Sequence, residues 1–139
     1  MRFKSFQKGI ITKRIQESKE FYTKILGFDI KFETDWFVLL CLPENPDFEI
    51  GFMLPNQEQV RKEYFRKEYS GFGIWIILES LNVTKDFEQM KSNGAPIDLP
   101  LTEEEWGDVH FTLVDPNGIG IDIVQAKEAH EFLTDATAG

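Results

Sequence analysis

The chain has 139 residues, 42% hydrophobic and 14% aromatic, with a formal net charge of −9; that is enough apolar material for one packed domain, or two small modules sharing a core. The acidic balance excludes non-specific nucleic-acid binding, which needs Lys and Arg to neutralise phosphate, and no apolar run approaches the ~20 residues of a membrane span. A single cysteine, Cys41, excludes a disulfide framework or a cysteine metal site, and Met1-Arg2-Phe3-Lys4 lacks the apolar core of a secretory signal, so the expectation is a reduced, cytoplasmic protein with no nucleic-acid or membrane partner.

In chain order, residues 3–12 read as a strand with Phe6 and Ile10 on one face and Gln7, Gly9 and Ile11 on the other. A helix begins at Glu17-Ser18-Lys19-Glu20, because Phe21, Tyr22, Ile25 and Leu26 recur at helical spacing, and Gly27 is placed to end it. Strands follow over 28–34, over 36–42 and, after a loop, over 48–54. In the last of these Glu49, Gly51 and Met53 share one face and Phe48, Ile50 and Phe52 the other. This half reads β-α-β-β-β.

Residues 56–69, NQEQVRKEYFRKEY, form a charged stretch with Val60, Tyr64 and Phe65 as its apolar positions. Such a run reads as a solvated connection or an exposed helical turn. The segment 71–78, GFGIWIIL, has the β-branched and aromatic composition of a strand. Asn82 or Thr84 can cap the next helix, which carries Val83, Phe87 and Met90 and closes at Gly94. Residues 97–101 read as an edge strand, since Pro96 and Pro100 interrupt hydrogen bonding there.

The clearest pattern is Trp106 to Val124, WGDVHFTLVDPNGIGIDIV. Val109, Phe111 and Leu113 alternate, Asp115-Pro116-Asn117-Gly118 turns the chain, and Ile119, Ile121 and Ile123 alternate again. The hairpin therefore has an aliphatic face and a second face bearing Gly120, Asp122 and Val124. The second half is again β-α-β-β-β. The expected architecture is α+β: two βαβββ modules forming a curved mixed sheet around a shared cleft, within one domain. Module one covers about 3–54, a linker 55–70, module two about 71–125 and a polar tail 126–139, with a helical turn expected over 128–133.

This order, with FYTKILGF in the first half and DPNGIGIDIV at the close, resembles the vicinal oxygen chelate superfamily of glyoxalases, bleomycin-resistance proteins and ring-cleaving dioxygenases. The resemblance implies a homodimer whose clefts hold small ligands. In metal-dependent members four cleft-facing side chains hold a divalent cation. Counted from the matching motifs, these positions fall at Gln7, near Gly51, at Ile74 and at Asp122. Gly51 and Ile74 carry no donor, so no metal and no other cofactor is expected, although Glu49 stands on the same face as Gly51. His110, on the strand before the turn, and His130, in the tail, are not at ligand positions.

Alternation places Gln7, Glu49, Gly51, Met53, Ile74, Ile76 and Asp122 around the cleft, and these with Trp106 form the expected ligand-binding set. No catalytic residue is assigned. Glu49 and Asp122, with no basic partner among these residues, favour a cationic or hydrogen-bond-donating ligand. Glu49 also reads as a solvated rim residue, and Asp122 as a structural carboxylate satisfied by backbone N–H groups. Trp75, between Ile74 and Ile76, reads as core. Trp36 reads as core, rim or dimer contact. Trp106-Gly107 resembles the Trp-Gly before the final hairpin of bleomycin-resistance proteins and reads equally as a stacking surface or as packing at the hairpin base. The expected function is metal-independent sequestration of an aromatic or cationic small molecule, in antibiotic resistance or in metabolite handling. The alternative is a metal-dependent lyase, isomerase or dioxygenase of the same superfamily. A third reading is a vestigial cleft on a protein that only pairs with others.

Overall fold

The computed structural model describes residues 1–126; the expected turn over 128–133 and His130 lie outside them. The chain divides into two compact units, the first Met1–Phe72 and the second beginning at Gly73. Each unit holds a four-stranded mixed sheet, so the fold is α+β.

The first sheet has the order β1-β4-β3-β2, from β1 (Phe6–Ile11), β2 (Asp29–Glu33), β3 (Phe37–Cys41) and β4 (Phe48–Met53). Helix α1 (Ile15–Glu20) continues as a widened turn over Phe21–Ile25 and packs on β3 and β4. Val38 and Leu40 of β3 and Phe52 of β4 are fully buried. The Tyr22 ring lies 5.5, 5.6 and 5.1 Å from the rings of Phe21, Phe28 and Phe52. The helix ends as expected at Gly27, whose φ of +76° favours a residue without Cβ. Phe28 N–H then donates back to the Tyr22 carbonyl at 2.9 Å, closing the end of the helix. The charged stretch folds against this unit. Tyr69 N–H donates to the Ile11 carbonyl (2.8 Å) and Lys13 N–H to Glu68 (2.6 Å), and a 3₁₀ turn covers Glu63–Phe65.

The second sheet has the order β5-β8-β7-β6, from β5 (Trp75–Glu79), β6 (Ile97–Glu103), β7 (Val109–Val114) and β8 (Gly120–Gln125). Strand β6 lies at an edge, where Pro100 breaks no interior ladder. Strand β5 starts four residues later than the composition of 71–78 predicts. Gly71 and Gly73 have φ of +113° and +98°, outside strand geometry, so the backbone overrides the apolar pattern. Helix α2 (Val83–Ser92) is capped by Asn82, which accepts from Lys85 N–H at 3.1 Å, and Gly94 with φ +78° follows its end. It packs on β6, β7 and β8, and Phe87 meets Phe111 edge-on at 5.2 Å between centroids.

The hairpin forms as its sequence predicts. Phe111, Leu113, Ile119, Ile121 and Ile123 are buried on the helix side. Asp115 is itself buried and accepts from Asn117 N–H (2.8 Å) and Ile119 N–H (2.9 Å), so its carboxylate holds the turn that aligns both strands.

Candidate functional site

Of the residues expected to bind ligand, Gln7, Glu49, Gly51, Met53 and Asp122 fall on two sheet faces, each opposite the helix of its unit. In the first unit Gln7 pairs with Glu49, Gly9 with Gly51 and Ile11 with Met53 in parallel register, so all six share that face. Strand β3 adds Phe37, Leu39 and Cys41 as register partners of Met53, Gly51 and Glu49. The room expected at Gly51 is occupied: a Cβ there would lie 3.0 Å from the Phe37 ring and 3.2 Å from the Gln7 amide nitrogen. Gly9, with nothing within 4 Å of a built Cβ, is the open position on this face.

Glu49 is not a solvated rim residue. It is 9% exposed and its carboxylate lies 3.1 Å from the Lys31 ammonium. Lys31 comes from β2, two strands away, a pairing that alternation within β4 cannot reveal. The inference from a carboxylate without a basic partner therefore fails for Glu49. Trp36 is half-buried, 6.1 Å from the Phe37 ring.

In the second unit the assignment of β5 is corrected. Trp75 pairs with Gly120, Ile77 with Asp122 and Glu79 with Val124, whereas Ile76 pairs with the buried Ile121. Ile76 thus belongs to the helix side, and Ile74 precedes the strand and is exposed. Trp75 is not core: it is 62% exposed and stands above Gly120, whose built Cβ would lie 3.9 Å from that of Trp75. In GFGIWIIL nearly every residue is apolar, so period two gives no signal and only pairing with β8 sets the faces. The face opposite α2 accordingly presents Trp75, Ile77 and Glu79 on β5, Gly120 and Asp122 on β8, and His110, Thr112 and Val114 on β7.

Among the described residues Asp122 is held by a side chain and not by backbone N–H groups. Its Oδ1 lies 2.7 Å from Nδ1 of His110, whose Nε2 lies 3.0 Å from Oε1 of Glu104. Both ring nitrogens face carboxylates, which when ionised only accept, so the arrangement favours the doubly protonated imidazolium over the neutral ring. Sequence reasoning set His110 aside, but a signal was present. Counting outward from the Asp-Pro-Asn-Gly turn pairs Thr112 with Asp122 and His110 with Val124, making His110 the diagonal neighbour of Asp122. Glu104 was not foreseeable in this way, because it enters from the turn beyond β6.

That turn also carries Trp106. Glu104 N–H donates to the Asp108 carbonyl (2.8 Å), Gly107 N–H to the Glu104 carbonyl (3.0 Å), and the Trp106 indole to the Asp108 carboxylate (2.9 Å). Gly107 turns at φ +103°, and Trp106 remains 54% exposed.

The pKa of His110 is raised from its ordinary 6.5, first by the hydrogen bond to Glu104, opposed by desolvation, and then by the hydrogen bond and charge of Asp122. A folded pKa above the unfolded one gives stability that is complete below about 6.5 and lost as pH rises through the folded value. The melting temperature is therefore expected to fall as pH is raised from about 6 to 9, and His110→Gln should flatten that slope in thermal unfolding at fixed ionic strength. A slope unchanged by the substitution would show that the imidazolium contributes nothing to pH-dependent stability.

Among the residues expected to bind ligand, the oxygen donors on these faces come from Gln7, Glu49 and Asp122. Gly51 has none, Trp75 and Ile77 have none, and His110 commits both nitrogens to carboxylates. Among the described residues, no group of three or more His, Cys, Asp or Glu has a metal-holding arrangement. Also among them, no helix is long and apolar enough to cross a membrane.

Comparison with known proteins places this geometry. The sequence model of the Glyoxalase/Bleomycin resistance protein/Dioxygenase superfamily matches residues 4–123. No curated protein matches the chain. Among solved structures it is similar to a glyoxalase/bleomycin resistance protein/dioxygenase from Nocardioides, with TM-score 0.72, 18% identity, 93% of this chain and 87% of that one covered. It is also similar to a member of the same superfamily from Sphaerobacter thermophilus DSM 20745, with TM-score 0.65, 22% identity, and 89% and 98% covered. A third similar structure is TnmS3, an antibiotic binding protein from Streptomyces sp. CB03234, with TM-score 0.64, 18% identity, and 91% and 98% covered. At these identities the likeness is one of fold.

Proposed function

This chain belongs to the glyoxalase/bleomycin resistance protein/dioxygenase superfamily, and from that premise we propose that it sequesters a small planar aromatic or cationic compound without a metal ion and without chemistry. The observation that carries the reading is the face of the second sheet opposite α2. There an exposed indole and the exposed Ile77 and Val114 side chains lie beside Gly120, bounded by the Glu104–His110–Asp122 chain. Aromatic and aliphatic groups next to a glycine offer a flat contact area, while a few polar groups set orientation. With one imidazolium between two carboxylates, the chain retains a net negative charge, and Glu79 adds another. That balance favours a cationic substituent on the ring system.

The remaining parts of the proposal are a homodimer in the cytoplasm and a role in antibiotic resistance. They draw support from the family resemblance, from the single reduced-type cysteine, and from a structural neighbour described as an antibiotic binding protein.

The test is a thermal-shift and tryptophan-fluorescence screen with ethidium, neutral anthraquinones, and Mn²⁺, Ni²⁺ and Zn²⁺, each with and without EDTA. A planar compound should quench fluorescence saturably. At about 100 times its Kd it should stabilise the protein by ~2.7 kcal/mol, and EDTA should not alter that gain. Stoichiometric retention of one of the metals, with stabilisation lost in EDTA, would instead support the metal-dependent lyase, isomerase or dioxygenase. Absence of any response would leave the vestigial cleft.

A further inference from the structure

We propose that His110 is a positioning residue: by bridging Asp122 and Glu104 it ties the 104–108 turn to the centre of the second sheet and thereby sets the orientation of Trp106. The ligand part of this inference rests on the binding role proposed above; the positioning part does not.

The reasoning starts from where the turn hangs. It joins β6, the edge strand, to β7, and Glu103 is the last residue of β6, paired with Val109. Within the turn, two backbone hydrogen bonds and the Trp106–Asp108 contact close the loop on itself. None of these three bonds attaches it to a central strand. The Glu104 side chain does so, because it reaches His110 on β7, and His110 is fixed in turn by Asp122 on β8. An imidazolium suits this task. Its two N–H groups point to opposite sides of a rigid ring, so one side chain can hold two carboxylates with charge-assisted bonds. With a side chain only 14% exposed, the ring works in a partly dry environment where such bonds are strengthened. Trp106 is two residues from Glu104 inside the same closed turn, so a displacement of Glu104 moves the indole with it.

The test uses the indole N–H signals of the full-length protein in ¹H–¹⁵N spectra, with Trp106 assigned by the signal lost in Trp106→Phe. In His110→Ala and in Glu104→Ala, the Trp106 signal should shift or broaden while that of Trp36, in the other unit, stays in place. Glu104→Gln retains an oxygen that accepts from Nε2 and should restore the native position, whereas Glu104→Met, which keeps the bulk without that acceptor, should leave the signal displaced; rescue by both would show a packing effect and overturn the proposal. Affinity for the best planar compound of the screen should fall about tenfold in both alanine variants, worth ~1.4 kcal/mol, and remain near native in Glu104→Gln. Glu104 lies in a turn, so its variants report even where His110→Ala does not fold. A Trp106 signal unmoved by Glu104→Ala, or moved equally by Glu104→Gln, would overturn the proposal. Failure of every planar compound to bind the native protein would sink the binding role instead, while the indole signals still decide the positioning.

Discussion

Phe111→Ala is expected to lower the unfolding free energy by about 3–5 kcal/mol, the usual cost of emptying a large aromatic site in a core. Phe111 is fully buried on β7, and its ring meets Phe87 of α2 edge-on at 5.2 Å. Truncation removes both the transfer term and the aromatic pair, and the remaining cavity would sit between helix and sheet, where neither can collapse far. Urea unfolding followed by circular dichroism would measure the change. A loss below about 1 kcal/mol would mean that α2 does not seal the sheet in the way described.

The second large effect is expected at Trp75, also an aromatic on a strand of the same sheet, but on the opposite face. Trp75→Ala should weaken binding of the planar compound by ~2 kcal/mol or more, about 30-fold, as truncating an aromatic anchor does. Because Trp75 is exposed, its loss should change stability by no more than about 0.5 kcal/mol. Trp75→Phe, which keeps a stacking ring, should recover part of the affinity. Titration calorimetry on the three proteins separates these outcomes. An affinity unchanged in Trp75→Ala would move the ligand off this face. Together the two substitutions distinguish a residue that holds the sheet from one that the sheet displays.

The same two residues show why some assignments could be read from the chain and others could not. Around Phe111 the alternation of apolar with polar neighbours is clean, as it is in Ile119 to Ile123, so the buried face follows from period two alone. Around Trp75 every neighbour from Ile74 to Leu78 is apolar, and the period carries no phase. Trp75 was therefore expected in the core and Ile76 on the open face, and the parallel pairing of β5 with β8 reverses both. Glu49 illustrates a second limit. Its face was correctly read from β4, but its Lys31 partner lies on a strand that is not adjacent to β4 in the sheet.

The amino-acid sequence by itself determined the order of elements in each unit, the glycine that ends each helix, a cap at Asn82 or Thr84 and the Asp115 turn. These depend on interactions within a few residues, where side-chain chemistry and φ preference act directly on the local backbone. Tertiary structure alone decided that Glu49 is neutralised by Lys31, that Gly51 is covered by Phe37 and Gln7, and that Glu104 and Asp122 converge on one imidazolium. Those contacts join strands by register and turns by reach. Register places residues far apart in sequence at hydrogen-bonding distance, and outside a tight hairpin, whose turn does set His110 diagonal to Asp122, no local pattern encodes which of them will meet.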